Sequence, residues 1–137
     1  MAAKNVRPKY PLPRGGLKAR WNRLVQTRIW GMDIAPSARI AATALIDRTW
    51  PRGVHIGAGC VIDEEVVLLT HDLTRGLYLD TVIGADTVIG ARAIILPGIT
   101  VGRGCEILPG TLVHRDMPDG CRATGNPAAY TAGAAFT

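Results

Sequence analysis

The chain has 137 residues, a length typical of one domain, and 47% of them are hydrophobic, which is enough for a packed core. Only 5% are aromatic, whereas 16 residues are Gly and 9 are Pro, so the composition argues against a core of large rings and favours short strands joined by many turns. The net charge of +5 is concentrated in residues 1–32, which hold eight Lys or Arg and no acid, while the rest of the chain has a net charge of −3.

The basic arm, residues 1–33, is predicted to contain a helix over residues 17–30. One face of that helix is apolar: Leu17, Trp21, Leu24 and Val25. Because a solenoid needs its open end covered, the first interpretation is a cap on the first coil. The second is peripheral contact of residues 1–32 with the inner face of an anionic membrane. Nucleic-acid binding is disfavoured, since the arm lacks a recognition motif and the rest of the chain is acidic.

Targeting and redox signals are weak. Residues 1–16 lack the continuous apolar stretch of a signal peptide, and no run of 18 apolar residues could span a bilayer. The three cysteines, Cys60, Cys105 and Cys121, have neither CxxC spacing nor an even number, which argues against a disulfide framework or a zinc ribbon. We therefore expect free thiols and a cytoplasmic protein.

From Ile34 onward an aliphatic residue heads each of twelve hexads. The heads are Ile34, Ile40, Ile46, Ile56, Ile62, Leu68, Ile83, Ile89, Ile95, Val101, Ile107 and Val113. A period of six fits neither an amphipathic helix nor an alternating strand. It predicts a triangular solenoid over residues 34–118, in which three hexads make one coil and the head and fifth residues point inward. A C-terminal extension, residues 119–137, follows.

Two insertions interrupt the repeat, at residues 50–55 and 72–82. Each follows the third side of a coil, so both are predicted at one corner of the prism, roughly 5 Å apart by the spacing of strands in a sheet. Trp50 and Asp72, the residues that fit an inward position worst, lie at these breaks. Because loops on a rigid scaffold often carry function, this corner is the candidate site.

His71 lies at the root of the longer insertion and is the candidate general base, because an imidazole accepts protons near neutral pH. A surface histidine without a role fits the position equally well, and His55 and His114 are expected to be ordinary. A hydroxyl is a weak nucleophile that needs a positioned base, and no Ser-His-Asp ordering or activated Cys competes with His71. Asp72 or Glu65 is predicted to orient the imidazole.

Four segments resemble the hexapeptide-repeat acetyltransferases, which include galactoside, maltose, nodulation-factor, xenobiotic and colanic-acid O-acetyltransferases. The segments are HDLTRGLYLDTVIG from His71, IGARAIILPGITVG from Ile89, RDMPDG from Arg115 and GNPAA from Gly125. The resemblance covers about residues 34–129. It implies an all-β fold, a left-handed parallel β-helix of about four triangular coils after an N-terminal helical, basic arm. It also implies a homotrimer with sites between subunits, in which His71 takes a proton from an acceptor hydroxyl that attacks acetyl-CoA, without a metal.

The resemblance also implies a surface for coenzyme A along the outside of the coils. The cofactor-binding residues it implies are Gly90, Ala91, Pro109, Gly110, Arg115, Arg122 and Asn126, with the two arginines near the phosphates. In the family, backbone amides at Ala91 and at Pro109 would bind the pantetheine arm, but proline has no N–H, so one of these hydrogen bonds cannot form. Val88 and Ala129 stand where the family commonly has Trp and Lys, and the acyl group itself stays open.

The expected acceptor is a sugar or polysaccharide precursor, contacted by Asp72, Arg75 and Tyr78. N-acetylation of an amino sugar is an open variant. A non-catalytic β-helix trimer, acting as a scaffold or binding module, is the alternative from another class, and Pro109 and Val88 favour it. A β-helix carbonic anhydrase is disfavoured because the three histidines lack a closely spaced pair of zinc ligands.

Overall fold

The computed structural model describes residues 16–132, in which one helix precedes a series of very short strands. Helix α1 (Leu17–Leu24) continues into a turn of π-helix (Val25–Ile29), and a 3-10 turn (Pro51–Gly53) interrupts the strands. The strands are β1 (Asp33–Ile34), β2 (Arg39–Ile40), β3 (Leu45–Ile46), β4 (Val54–Ile56), β5 (Val61–Ile62), β6 (Val67–Leu68), β7 (His71–Asp72), β8 (Leu77–Tyr78), β9 (Thr81–Ile83), β10 (Val88–Ile89), β11 (Ile94–Ile95), β12 (Thr100–Val101), β13 (Glu106–Ile107), β14 (Leu112–Val113), β15 (Cys121–Thr124) and β16 (Ala129–Ala132).

Three sheets form the sides of a prism. Sheet A has the order β1-β4-β9-β12, sheet B the order β2-β5-β10-β13-β15-β16, and sheet C the order β3-β6-β11-β14. Neighbouring strands are parallel except β15 and β16, and the hexad heads stack in register, as in the pairing of Ile89 with Ile62 and Ile107. Every head is buried except Ile40, which is half-buried in the first coil. The predicted β-helix is thereby confirmed.

Small polar side chains occupy a buried corner and bind the backbone of the next coil. The Cys60 thiol donates to the Gly84 carbonyl at 3.0 Å, and the Thr87 hydroxyl donates to the Gly102 carbonyl at 2.8 Å. Burial raises the pKa of the Cys60 and Cys105 thiols. The three cysteines are free and buried, and Cys60 and Cys105 are poor candidates for reactive thiols.

The N-terminal end of the prism exposes carbonyl groups, because the amides of each coil donate to the coil that follows, as Ala35 does to Ile56. Arg23 meets two of these carbonyls, donating to Ala35 at 3.1 Å and to Ala38 at 2.7 Å. This contact supports the predicted cap. The apolar face of α1 does not pack into the core, however, since α1 has no buried residue and Leu17, Trp21 and Leu24 are exposed.

Element boundaries depart from the sequence prediction at three places. Strand β4 begins at Val54 and β9 at Thr81, so both insertions are shorter than expected. Strand β15 pairs in parallel with β13 and stacks Ala123 on Ile107, which makes the predicted extension partly a further rung of the solenoid. The Asn126–Pro127 peptide bond in the following turn is cis. Within residues 16–132, no helix combines the length and apolarity that crossing a membrane requires.

Candidate active site

Both insertions lie where the chain turns from sheet C to sheet A, and we call residues 47–55 and 69–81 the insertion corner. The Thr70 hydroxyl joins the two insertions by donating to the Trp50 carbonyl at 2.8 Å. Within the longer insertion, the Leu79 amide donates to the Thr70 carbonyl at 2.7 Å and the Thr81 hydroxyl donates to the Leu69 carbonyl at 2.6 Å. The predicted stacking of the insertions at one corner is therefore observed.

A buried carboxylate, Asp47, organises this corner. Its Oδ1 accepts a hydrogen bond from the Thr49 amide at 2.8 Å. Its Oδ2 accepts from the amides of Thr70 at 2.9 Å and His71 at 3.1 Å, and forms a short hydrogen bond with Nδ1 of the His71 imidazole. The Asp47 side chain is 3% exposed and that of His71 is 24% exposed. The carboxylate is thus inside the corner, and the imidazole lies between it and solvent.

The electrostatics of the pair determine which imidazole nitrogen is basic. Burial alone would raise the pKa of Asp47, but hydrogen bonds from Thr70, Thr49 and His71 outweigh it and hold the pKa at about 2. An ionised carboxylate only accepts hydrogen bonds, so Nδ1 of His71 carries the proton and neutral His71 has its lone pair on Nε2. No partner for Nε2 is found among residues 16–132. The corner therefore holds an imidazole whose Nε2 is able to accept a proton.

Sequence reasoning missed Asp47 and chose the wrong orienting groups. The Asp72 carboxylate accepts from Nε of Arg75 at 2.5 Å, and this hydrogen bond lowers the pKa of Asp72. Glu65 binds Arg92 at 2.7 Å. A signal was available, because the pairing of Ile46 with Leu68 places Asp47 level with the residue after Leu68. That register brings Asp47 close to the residues that lead into His71, but it does not show that the carboxylate turns toward the imidazole.

The three predicted acceptor contacts lie in the hairpin that carries His71. Tyr78 is directly opposite His71 in the antiparallel pair of β7 and β8, while Asp72 and Arg75 bind each other in its turn. Tyr78 is 62% exposed, and the centroid of its ring lies 5.6 Å from the centroid of the Trp50 ring. The structure brings these residues together and adds Trp50, which the sequence had marked only as a misfit in the repeat.

Five of the predicted cofactor-binding residues stack along the corner between sheets B and C, which we call the glycine ridge: Gly90, Ala91, Pro109, Gly110 and Asn126. A Cβ on Gly90 would lie 2.5 Å from the Pro109 nitrogen, so only glycine fits there. The Gly110 amide donates to the Ala91 carbonyl at 2.9 Å. The Ala91 amide itself has no partner within residues 16–132 and is available to a ligand.

The two predicted phosphate contacts lie elsewhere. Arg115 follows β14 at the corner between sheets C and A and stacks on Tyr130, with the guanidinium 4.4 Å from the ring centroid. Arg122 is on sheet B, 3.9 Å from Glu106. Since sheet C separates the glycine ridge from the insertion corner, one chain does not bring His71 and the ridge into a single site.

The other histidines have protein partners on the surface. His55 pairs with Asp33 at 3.0 Å and with Asp80 at 3.5 Å, and the Asp33 hydrogen bond raises the pKa of His55. His114 lies 3.2 Å from the Tyr130 hydroxyl. In the part of the chain that the structure describes, no group of three His, Cys, Asp or Glu side chains is arranged to hold a metal ion.

Comparisons with known proteins agree with this geometry. Residues 80–115 match the family model "Bacterial transferase hexapeptide (six repeats)". The protein named "Putative acetyltransferase YvoF" of Bacillus subtilis (strain 168) is 33% identical over 98 residues, which cover 70% of this chain and 57% of that relative. The chain thus spans little more than half the length of this relative.

Solved structures extend the likeness. The polySia-specific acetyltransferase NeuO is 30% identical with a TM-score of 0.51, over 57% of this chain and 41% of that one. A galactoside acetyltransferase in complex with coenzyme A has a TM-score of 0.60 over 89% of this chain and 74% of that one, at 17% identity. At that identity the second likeness shows the fold.

Proposed function

We propose that the chain, which resembles the hexapeptide-repeat transferases over residues 80–115, transfers an acetyl group from acetyl-CoA to a hydroxyl of a sugar or polysaccharide precursor. The observation that carries the proposal is the pairing of Asp47 with His71. It supplies the positioned base that a neutral hydroxyl requires.

The reaction follows from the orientation of the imidazole. Nε2 of His71 takes the acceptor's proton as the acceptor oxygen forms a bond to the thioester carbonyl carbon. The tetrahedral oxyanion then collapses, the carbon–sulfur bond breaks, and the imidazolium returns the proton to the thiolate of coenzyme A. Asp47 stabilises the imidazolium between these steps, because a carboxylate hydrogen-bonded to Nδ1 favours the charged ring.

Assembly into a trimer would complete the site. Outward-facing aliphatic side chains form a continuous row on sheet C: Leu45, Val67, Ile94 and Leu112. Leu45 is 57% exposed, and a contiguous apolar row that reaches the surface marks a site of protein–protein contact. This row and the separation of His71 from the glycine ridge support a site in which His71 faces the ridge of a neighbouring copy.

The glycine ridge offers the pantetheine arm of acetyl-CoA one of the two backbone amide donors that the resemblance implies. The free Ala91 amide can donate to a pantetheine carbonyl, and the absence of a side chain at Gly90 keeps the backbone accessible. Pro109 offers no donor one coil on. Arg115 and Arg122 are proposed to contact the phosphates, and Asn126 to contact the cofactor beside the ridge.

Exposed rings beside His71 favour a sugar acceptor, because pyranose faces are apolar and stack on aromatic side chains such as Trp50 and Tyr78. Asp72 and Arg75 would contact its polar groups. An amino sugar would react by the same base. A scaffold without activity is the less favoured alternative, since it has no need of a buried ionised Asp47 against His71. We place the protein in the cytoplasm, with the basic arm in peripheral contact with the inner membrane face; residues 1–15 of that arm lie outside the described residues.

Calorimetric titration with acetyl-CoA tests the proposal without knowledge of the acceptor. We expect saturable binding near one per chain, weakened by Arg115→Ala, while His71→Ala binds normally. A screen of sugars for thiol release would then identify the acceptor and separate O- from N-acetylation. A folded protein that shows no binding up to millimolar acetyl-CoA would instead favour the scaffold.

A further inference from the structure

A cleft of about 660 Å³ lies between α1 and the first coil, and its lining includes neither Asp47, His71 nor the glycine ridge. Among the described residues, its charged lining consists of arginines alone, with no acidic residue: Arg20, Arg23, Arg39 and Arg48. Two indoles, Trp21 and Trp30, line it as well. A volume of this size is typical of a small-molecule site, and its charge selects an anion.

The positive charge of the cleft is uncompensated within the described residues. The Arg23 guanidinium donates hydrogen bonds to two backbone carbonyls, and burial lowers its pKa. Arg48 lies over the Trp30 ring, 5.1 Å from its centroid. Across residues 16–132, neither Arg20 nor Arg39 is within ion-pair distance of a carboxylate. An anion seated here would therefore meet unpaired donors.

Apolar surface surrounds this charge. The side of the cleft formed by the first coil contains small residues, Ala38, Ala41 and Ala44. Large apolar side chains of α1 and of the turn that follows it are exposed, at 85% for Leu17, 63% for Trp21, 46% for Leu24 and 69% for Ile29, and Trp21 also lines the cleft. Arginines on the same segment as exposed Leu and Trp side chains match the boundary between phosphate head groups and acyl chains.

We propose that this cleft binds the phosphate head group of an anionic phospholipid while the exposed face of α1 lies in the membrane surface. The idea deepens the proposed peripheral membrane contact and rests on it. Acetyl transfer does not depend on it, because neither His71 nor the glycine ridge contributes to the cleft. The segregation of eight cations into residues 1–32, against a body of net charge −3, supplies the long-range attraction.

Vesicle sedimentation with the full chain tests the proposal. The probes are phosphatidylcholine vesicles with and without about 30% phosphatidylglycerol, a content that gives a strongly negative surface. The cleft variant is Arg20→Gln with Arg39→Gln, and its matched control is Arg92→Gln with Arg103→Gln, which removes two exposed cations away from the cleft. We expect the cleft variant to partition roughly thirtyfold more weakly, since each cation near an anionic surface contributes about 1 kcal/mol. The control should partition nearly as the unaltered chain does.

Trp21→Ala should also weaken binding to the anionic vesicles, while the circular dichroism spectrum stays unchanged. Equal binding by the cleft variant and its control would overturn the proposal, and so would equal binding to both kinds of vesicle. If Trp21→Ala changes the oligomer mass and leaves vesicle binding intact, the face of α1 is an interface between copies and the proposal is wrong. Acetyl-CoA titration of the same variants separates failure of the cleft from failure of the proposed activity.

Discussion

The flat sides of the prism and the insertion corner position their backbones by different means. On the sides, amides donate to carbonyls of the next coil, and inward aliphatic residues such as Ile62, Ile89 and Ile107 repeat the same contact. At the corner, the Asp47 carboxylate takes the place of carbonyl acceptors and receives three amides and an imidazole. A charged acceptor at the break in the repeat therefore couples the fold of the corner to its chemistry.

The largest effect should come from removing the base. We expect His71→Ala to lower kcat by a factor on the order of 10² to 10⁴, because a positioned general base contributes about that much. Acetyl-CoA binding should persist, since the ridge lies across sheet C. Release of the coenzyme A thiol measures the rate, with His114→Ala as the control histidine. Near-normal turnover would remove His71 from the mechanism and leave the corner as a purely structural break.

Asp47→Asn should have the next largest effect. The amide keeps the shape of the side chain but loses the charge that stabilises the imidazolium. A hydrogen bond to a charged group contributes about 1.5–3 kcal/mol, so kcat should fall roughly 10- to 100-fold with little change in KM. Asp119→Asn is the matched control, because Asp119 also accepts a backbone amide, from Arg103 at 2.8 Å, but contacts no imidazole. Equal losses from both variants would contradict the role of Asp47 as a positioning residue.

Acid should destabilise the corner before the sides. The folded pKa of Asp47, about 2, is below its ordinary value of 3.8, so the contribution of this group to stability is present above that value and disappears as pH falls through 2. The ionised Asp47 carboxylate contributes about 2 kcal/mol to the free energy of unfolding. Urea unfolding of the unaltered chain and of Asp47→Asn between pH 5 and pH 2 measures it. The difference between the two proteins should shrink with acid, and a constant difference would contradict the assignment.

The sides were predictable from sequence because every inward residue recurs at a fixed interval along the chain. Asp47 was not, since its contact with His71 depends on how two coils align after an insertion offsets them. For α1, the sequence pattern predicts which residues share one face of the helix but not which part of the protein that face contacts. Leu17 and Trp21 on that face are exposed. The contact between the Trp50 and Tyr78 rings likewise joins two separate insertions, so no local pattern predicts it.

The smallest predicted effect tests whether the glycine ridge, a regular part of the prism, has taken on a binding role. Pro109→Ala adds the missing amide donor, and a neutral hydrogen bond contributes about 1 kcal/mol, so acetyl-CoA should bind roughly fivefold more tightly. Ala91→Pro, the matched reverse change one coil away, should weaken binding to a similar degree by removing the free donor. Calorimetry measures both, with thermal unfolding to show that each variant folds. If neither variant changes the affinity, the ridge contributes only to the fold, and the functional surface of this chain is confined to its insertion corner.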